Sequence, residues 1–188
     1  MAREWIHRII VPPAIVISAG ALPCYATTYL TVEQAQKICF PSATSFVPAD
    51  VKLTTQQVKA IEKDCGVRVR LDSQKVWRAV LADGRQGDNL LGWLIQDEVL
   101  GKHEFINWVL ALKPDGAVKQ IEILDYRETY GYQIREEKWR AQFYGKQHGA
   151  KLKLDDDIKN ISGATLSCRH ITDGVKRLLS FYELALKH

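Results

Sequence analysis

Between Lys75 and Leu124 apolar and polar side chains alternate with a period of two, in runs rich in β-branched and aromatic residues. That period marks half-buried strands. Four runs stand out: Lys75 to Ala82, Leu90 to Gln96, Glu104 to Leu112 and Ala117 to Leu124, with Pro114-Asp115-Gly116 as a tight turn between the last two. They predict an antiparallel meander. In the third run Phe105, Asn107, Val109 and Ala111 alternate with Ile106, Trp108, Leu110 and Leu112. Both faces are largely apolar, so this strand is expected to be central, with helices over at least one face.

Elsewhere the period lengthens to that of a helix. Ile171, Val175, Leu178, Leu179, Tyr182 and Leu186 recur at spacings of three and four and predict an amphipathic helix from Ser167 to Leu186. Thr31 with Gln34, and Thr54 with Gln57, have the spacing of capping boxes. The first predicts a short helix running to Phe40 before Pro41, and the second a helix ending at Cys65-Gly66. A further short helix is expected near Arg135 to Tyr144, stopped by Gly145. The predicted class is α+β, an antiparallel sheet of four or more strands packed by helices.

Composition narrows this to one globular domain: 188 residues, 46% hydrophobic and 26% charged, with no internal repeat. The 26 basic and 22 acidic side chains are interspersed, so the net charge of +4 forms no stripe that nucleic acid would require. Residues 1–26 differ from the rest. Arg3 and Arg8 precede an apolar run from Ile9 to Leu22 and then Cys24-Tyr25-Ala26, the pattern of a secretory signal peptide cleaved after Ala26. The run is short for a bilayer span and Pro12-Pro13 interrupts it, which disfavours an uncleaved anchor. Residues 27–188 would then form the exported domain. Export would leave Cys39, Cys65 and Cys168 in an oxidising space. Cys39 and Cys65 are candidates for pairing, the alternative being that all three are small buried residues. No CxxC, CxxCH or HExxH is present, and Asp155-Asp156-Asp157 reads as a solvated acidic loop, so no metal site is expected.

The chemistry concentrates at the mouth of the last helix, in Ile161-Ser162-Gly163-Ala164-Thr165-Leu166-Ser167. The first amides of a helix lack intrahelical partners and the peptide dipoles add partial positive charge, so an anion is stabilised there. Gly163 permits close approach of the backbone, small Ala164 avoids crowding, and the hydroxyls of Ser162, Thr165 and Ser167 are candidate ligands or caps. A plain Ser/Thr cap is the bland alternative. Nearby, Cys168, Arg169 and His170 are candidates to meet a phosphate or its carrier, or simply to pack or face solvent. A hydrolytic pairing of Ser162 or Ser167 with His170 lacks the Gly-x-Ser-x-Gly elbow.

Ser162-Gly163-Ala164-Thr165 followed by Leu166-Ser167 resembles the flavinylation motif of the FMN-binding domain family. That family includes flavin-carrying subunits of the sodium-pumping NADH:quinone reductase and of the related ferredoxin-linked ion pump. Glu128-Thr129-Tyr130-Gly131 resembles its Glu-Thr-Pro-Gly loop, Trp139, Phe143 and Gly145-Lys146 resemble the helix after that loop, and Leu30 to Ala43 resembles the entry segment of exported members. Lys159 stands where the family motif has an aspartate, and Tyr130 where the loop has a proline. The resemblance implies FMN as cofactor, attached through a phosphoester to Thr165 by a dedicated flavin transferase. It also implies His103 near the cofactor, a periplasmic location, and a membrane-bound or periplasmic redox partner. The implied protein is an electron-transfer flavoprotein more than an independent catalyst. A binding module of the same fold without flavin is the alternative.

Overall fold

The computed structural model describes residues 29–69, 74–82 and 88–187. The expected signal peptide, residues 1–26, lies outside the described residues. From Tyr29 onward the order is α1 (Val32–Cys39), β1 (Ser45–Ala49), α2 (Thr55–Cys65), β2 (Lys75–Ala82), β3 (Asp88–Leu100), β4 (Phe105–Leu112) and β5 (Val118–Asp125). Short turns of helix then lead through α3 (Glu137–Arg140) to α4 (Thr165–Phe181) and a final π-helical turn, Tyr182–Leu186. The class is α+β, as the periodicities imply.

The five strands form one antiparallel sheet in sequence order, β1-β2-β3-β4-β5. β4 lies inside it, paired with β3 through Gln96 opposite Val109 and with β5 through Leu110 opposite Ile121. Its two apolar faces serve two cores. Ile106, Trp108, Leu110 and Leu112 join Ile61, Ile171, Val175 and Leu178 from α2 and α4, while Val109 and Ala111 join Ala35 and Cys39 from α1. Each such aliphatic side chain withdrawn from water contributes on the order of 1.5–3 kcal/mol before the cost of ordering the chain.

Both capping boxes form. Thr31 and Thr54 accept the N–H of Gln34 and Gln57 at 3.2 Å, and each glutamine side chain reaches back to the cap's own N–H. α4 is held against the sheet in two further ways. Arg177 forms a buried ion pair with Asp97 of β3, and Gly174 faces Trp108 so closely that a Cβ there would lie 2.7 Å from the indole ring.

Three expectations need correction. β1 was not among the expected strands; its Pro48 lacks an N–H and suits an edge strand, and five residues give little alternation to detect. The helix expected from Arg135 to Tyr144 is a 3₁₀ turn at Tyr132–Arg135, the single turn of α3 and a second 3₁₀ turn at Ala141–Phe143. Trp139 and Phe143 fix this path by packing edge to face, with ring centroids 5.2 Å apart. Finally, Cys39 and Cys65 are free and belong to separate apolar clusters on opposite sides of the sheet. Burial pushes the Cys39 thiol up to about 12 and that of buried Cys168 up to about 11, so neither is a ready thiolate.

Candidate functional site

The chain reaches α4 through a turn in which Ala164 N donates to Ile161 O at 3.0 Å and Gly163 takes a left-handed φ of 82°. Ala164 is the N-cap and brings no side-chain hydrogen bond. Cys168 N donates to Ala164 O at 3.0 Å and begins the helical ladder. The amides of Thr165, Leu166 and Ser167 precede it, in the positions where a helix has no internal acceptor to offer. Thr165 opens the helix and is half-buried, while Leu166 is exposed and Ser167 buried.

Beside this mouth lies a cavity of about 330 Å³ lined by Lys102, His103, Glu128, Thr129, Tyr130, Gly163, Ala164, Thr165, Leu166 and Ser167. Three segments distant in sequence therefore meet: the β3–β4 turn, the loop after β5 and the start of α4. Of the residues singled out by sequence, Ser162 and Gly131 do not line the cavity. Ser162 is exposed at the turn, and Gly131 is buried beneath it. Cys168 faces the core, Arg169 is exposed, and His170 is turned aside, its Nδ1–H donating to the Leu100 carbonyl. His170 is not among the residues that line the cavity.

Glu128 does something the sequence did not reveal. Its Oε1 accepts the backbone N–H of His103 at 2.6 Å and of Glu104 at 3.1 Å. Partial burial opposes its charged form, but these amides, that of Lys102 and the nearby His103 outweigh it and hold the carboxyl below the usual carboxylate range. Glu128 thus clamps the β3–β4 turn, and with it Lys102 and His103, against the loop. The loop is in turn fixed to α4. Gly131 has φ of 90°, and a Cβ there would lie 2.1 Å from Ala164 Cβ and 2.7 Å from the Tyr126 hydroxyl oxygen. Tyr126 donates that hydroxyl to the Tyr130 carbonyl. Tyr130 itself is 72% exposed, leaving its ring free at the cavity rim.

Two more residues escaped sequence reasoning. Lys102 supplies an exposed cation to the lining. Asn160 donates through Nδ2 to Thr165 Oγ1 at 3.2 Å, while its Oδ1 accepts the N–H of Ile161 at 2.9 Å. Lys159 contributes by its backbone: its carbonyl accepts Trp139 Nε1–H at 2.8 Å and its N–H donates to Gln142 at 2.7 Å. The acidic run is also engaged, with Asp157 paired to Lys146 at 2.7 Å and Asp156 to Lys151 at 2.5 Å. Among the described residues no cluster of His, Cys, Asp or Glu is arranged to hold a metal ion.

A cavity at an uncapped helix mouth, with a flexible cation and an open aromatic ring at its rim, suits a phosphate-bearing cofactor. Residues 101–180 match the sequence model of the FMN-binding domain family, which covers all three segments of the site. The resemblance read from the motif is thereby borne out, and the chain is a flavoprotein whose indicated cofactor is FMN. A similar protein is a subunit of the proton-translocating ferredoxin:NAD(+) oxidoreductase complex of Clostridium ljungdahlii, 24% identical over 133 residues, spanning 67% of this chain and 70% of that one. The NqrC crystal structure from Shewanella oneidensis aligns with a TM-score of 0.49 and 18% identity, over 77% of this chain and 70% of that one.

Proposed function

We propose that this protein is an exported electron-transfer flavoprotein that carries FMN in a phosphoester link to Thr165 Oγ1. The observation that carries this reading is the placement of Thr165 as the first residue of an uncapped helix, facing a cavity of cofactor size. The amides of Thr165, Leu166 and Ser167 would hold the phosphate oxygens, with Lys102 adding charge. Tyr130 would cover one face of the isoalloxazine ring, and His103 and Thr129 would bound its edge. FMN supplies the one- and two-electron chemistry when bound. The chain's own residues fix its position, shield one side from water and set the local field.

The Clostridium relative is a subunit of a redox complex, which supports a membrane-bound or periplasmic redox partner here. Arg3, Arg8 and the apolar run up to Leu22 support export and a periplasmic site of action. Among the described residues no helix is long and apolar enough to cross a membrane. A tether has a physical rationale outside the cytoplasm, where dissociated FMN is not readily replaced. A dedicated flavin transferase would install it.

Intact mass after authentic export in the presence of a flavin transferase tests this reading. The expected mass exceeds that of the mature chain by one FMN less water, and the yellow colour survives denaturation. Thr165→Val is expected to abolish the adduct entirely. An unmodified wild-type mass refutes the covalent link, and colour lost on denaturation assigns a non-covalent FMN.

A further inference from the structure

We infer that Asn160 is a positioning residue for the Thr165 hydroxyl, presenting its oxygen for phosphoryl transfer while leaving its proton free to depart. This inference rests on the covalent reading above. Two hydrogen bonds fix the Asn160 amide without ambiguity. The N–H of Ile161 can only donate, so the atom 2.9 Å from it must be Oδ1. Nδ2 therefore faces Thr165 Oγ1, at 3.2 Å, and Thr165 is the acceptor in that contact.

The direction of that bond decides the chemistry. A carboxylate beside Thr165 would accept the hydroxyl proton, whereas the Asn160 amide occupies a lone pair and turns the proton away from itself. Thr165 Oγ1 keeps its rotamer, and negative charge developing on it meets an N–H donor already in place. In the transfer, Oγ1 attacks the phosphorus of the FMN portion of a flavin nucleotide phosphoanhydride. The Oγ1–P bond forms as the anhydride P–O bond breaks, and the nucleotide phosphate leaves with the electron pair. The hydroxyl proton passes to a base of the transferase, since Asn160 cannot take it.

The surroundings agree with this role. Lys159, at the motif position occupied by aspartate in the family, has an exposed side chain, and its backbone is bound to Trp139 and Gln142. Those two contacts hold the segment just before Asn160 on the α3 region. Asn160 is thus delivered to Thr165 by a fixed strap, one position later than the usual carboxylate.

The test is the rate of mass gain by purified mature protein mixed with a flavin transferase and flavin adenine dinucleotide, for wild type, Asn160→Ala and Asn160→Asp. Loss of one donor to a developing charge is expected to slow the Ala variant on the order of tenfold. Its melting temperature and its affinity for free FMN are expected to stay at wild-type values. Asn160→Asp retains the acceptor for Ile161 N–H but loses the donor, and is expected to be as slow as Ala. Wild-type rates in either variant overturn the inference, as does a parallel loss of melting temperature and FMN affinity in both, which assigns Asn160 to loop structure alone. A wild-type protein that gains no mass overturns the covalent reading itself, a result distinct from equal rates among modified proteins.

Discussion

The N-termini of α1 and α2 differ from that of α4 in how their amides are satisfied. In the first two a threonine and a glutamine of the same turn answer each other, so the helix mouth is closed by its own side chains. In α4 the cap is Ala164, which offers no side-chain acceptor. A closed mouth stabilises the chain by itself, typically by about 1 kcal/mol. An open mouth forgoes that contribution and holds its positive end ready for something outside the chain. The contrast separates helices whose first amides are answered within the chain from one whose first amides are not answered by its cap.

The sharpest way to break the open mouth is Gly131→Ala. A methyl group there collides with Ala164 and sits at a left-handed φ, so the loop must shift off α4. A loss of about 1–3 kcal/mol in denaturant unfolding is expected, together with loss of flavin; stability within about 0.5 kcal/mol of wild type would show that the loop is not locked to the helix. The next pair of substitutions touches one mouth of each kind. Thr54→Ala opens α2 and is expected to cost about 1 kcal/mol while leaving flavin loading intact. Ala164→Ser puts a hydroxyl on the buried methyl group that packs against Gly131, and is expected to weaken free FMN binding. Reduced flavin loading in the first, or unchanged affinity in the second, would contradict this division of labour between the helices.

The smallest effect concerns pH. Because the folded protein holds Glu128 below its ordinary value, this carboxylate stabilises the fold above its unfolded pKa. That contribution fades as pH falls through the depressed folded value. Glu128→Gln should flatten the acid limb of the stability curve relative to wild type and lower stability near neutrality. Superimposable acid limbs would mean that the clamp on His103 and Glu104 carries no linked proton.

Much of this was legible in the chain. Alternation marked β2, β4 and β5 within a residue or two, because each strand has a buried face and a turn at its end. β3 runs four residues beyond Gln96 to Leu100, where Asp97, Glu98, Val99 and Leu100 offer no clean alternation. Its Asp97 is buried because Arg177 is buried with it, a pairing across 80 residues that no local pattern encodes. At the site, glycine, small residues and hydroxyls before an amphipathic helix were sufficient to locate the start of α4 within Ser162 to Ser167, although its cap is Ala164 and not a hydroxyl. The roles of Glu128 and Asn160 were not legible. A carboxylate that clamps another loop's backbone and an amide that meets a threonine across a turn depend on tertiary geometry, and nothing in their spacing announces it.

The contact between Gly174 and Trp108 has a consequence for speed as well as shape. With no Cβ to hold it off, α4 rests directly on the ring of a fully buried tryptophan, and its buried arginine is tied to β3. With FMN attached at Thr165 as proposed, the redox group would sit on a helix packed directly on the sheet. Little internal rearrangement would then accompany gain or loss of an electron, and the tunnelling distance would be set by how the two proteins meet. Variation in transfer rate among partners would report the encounter itself.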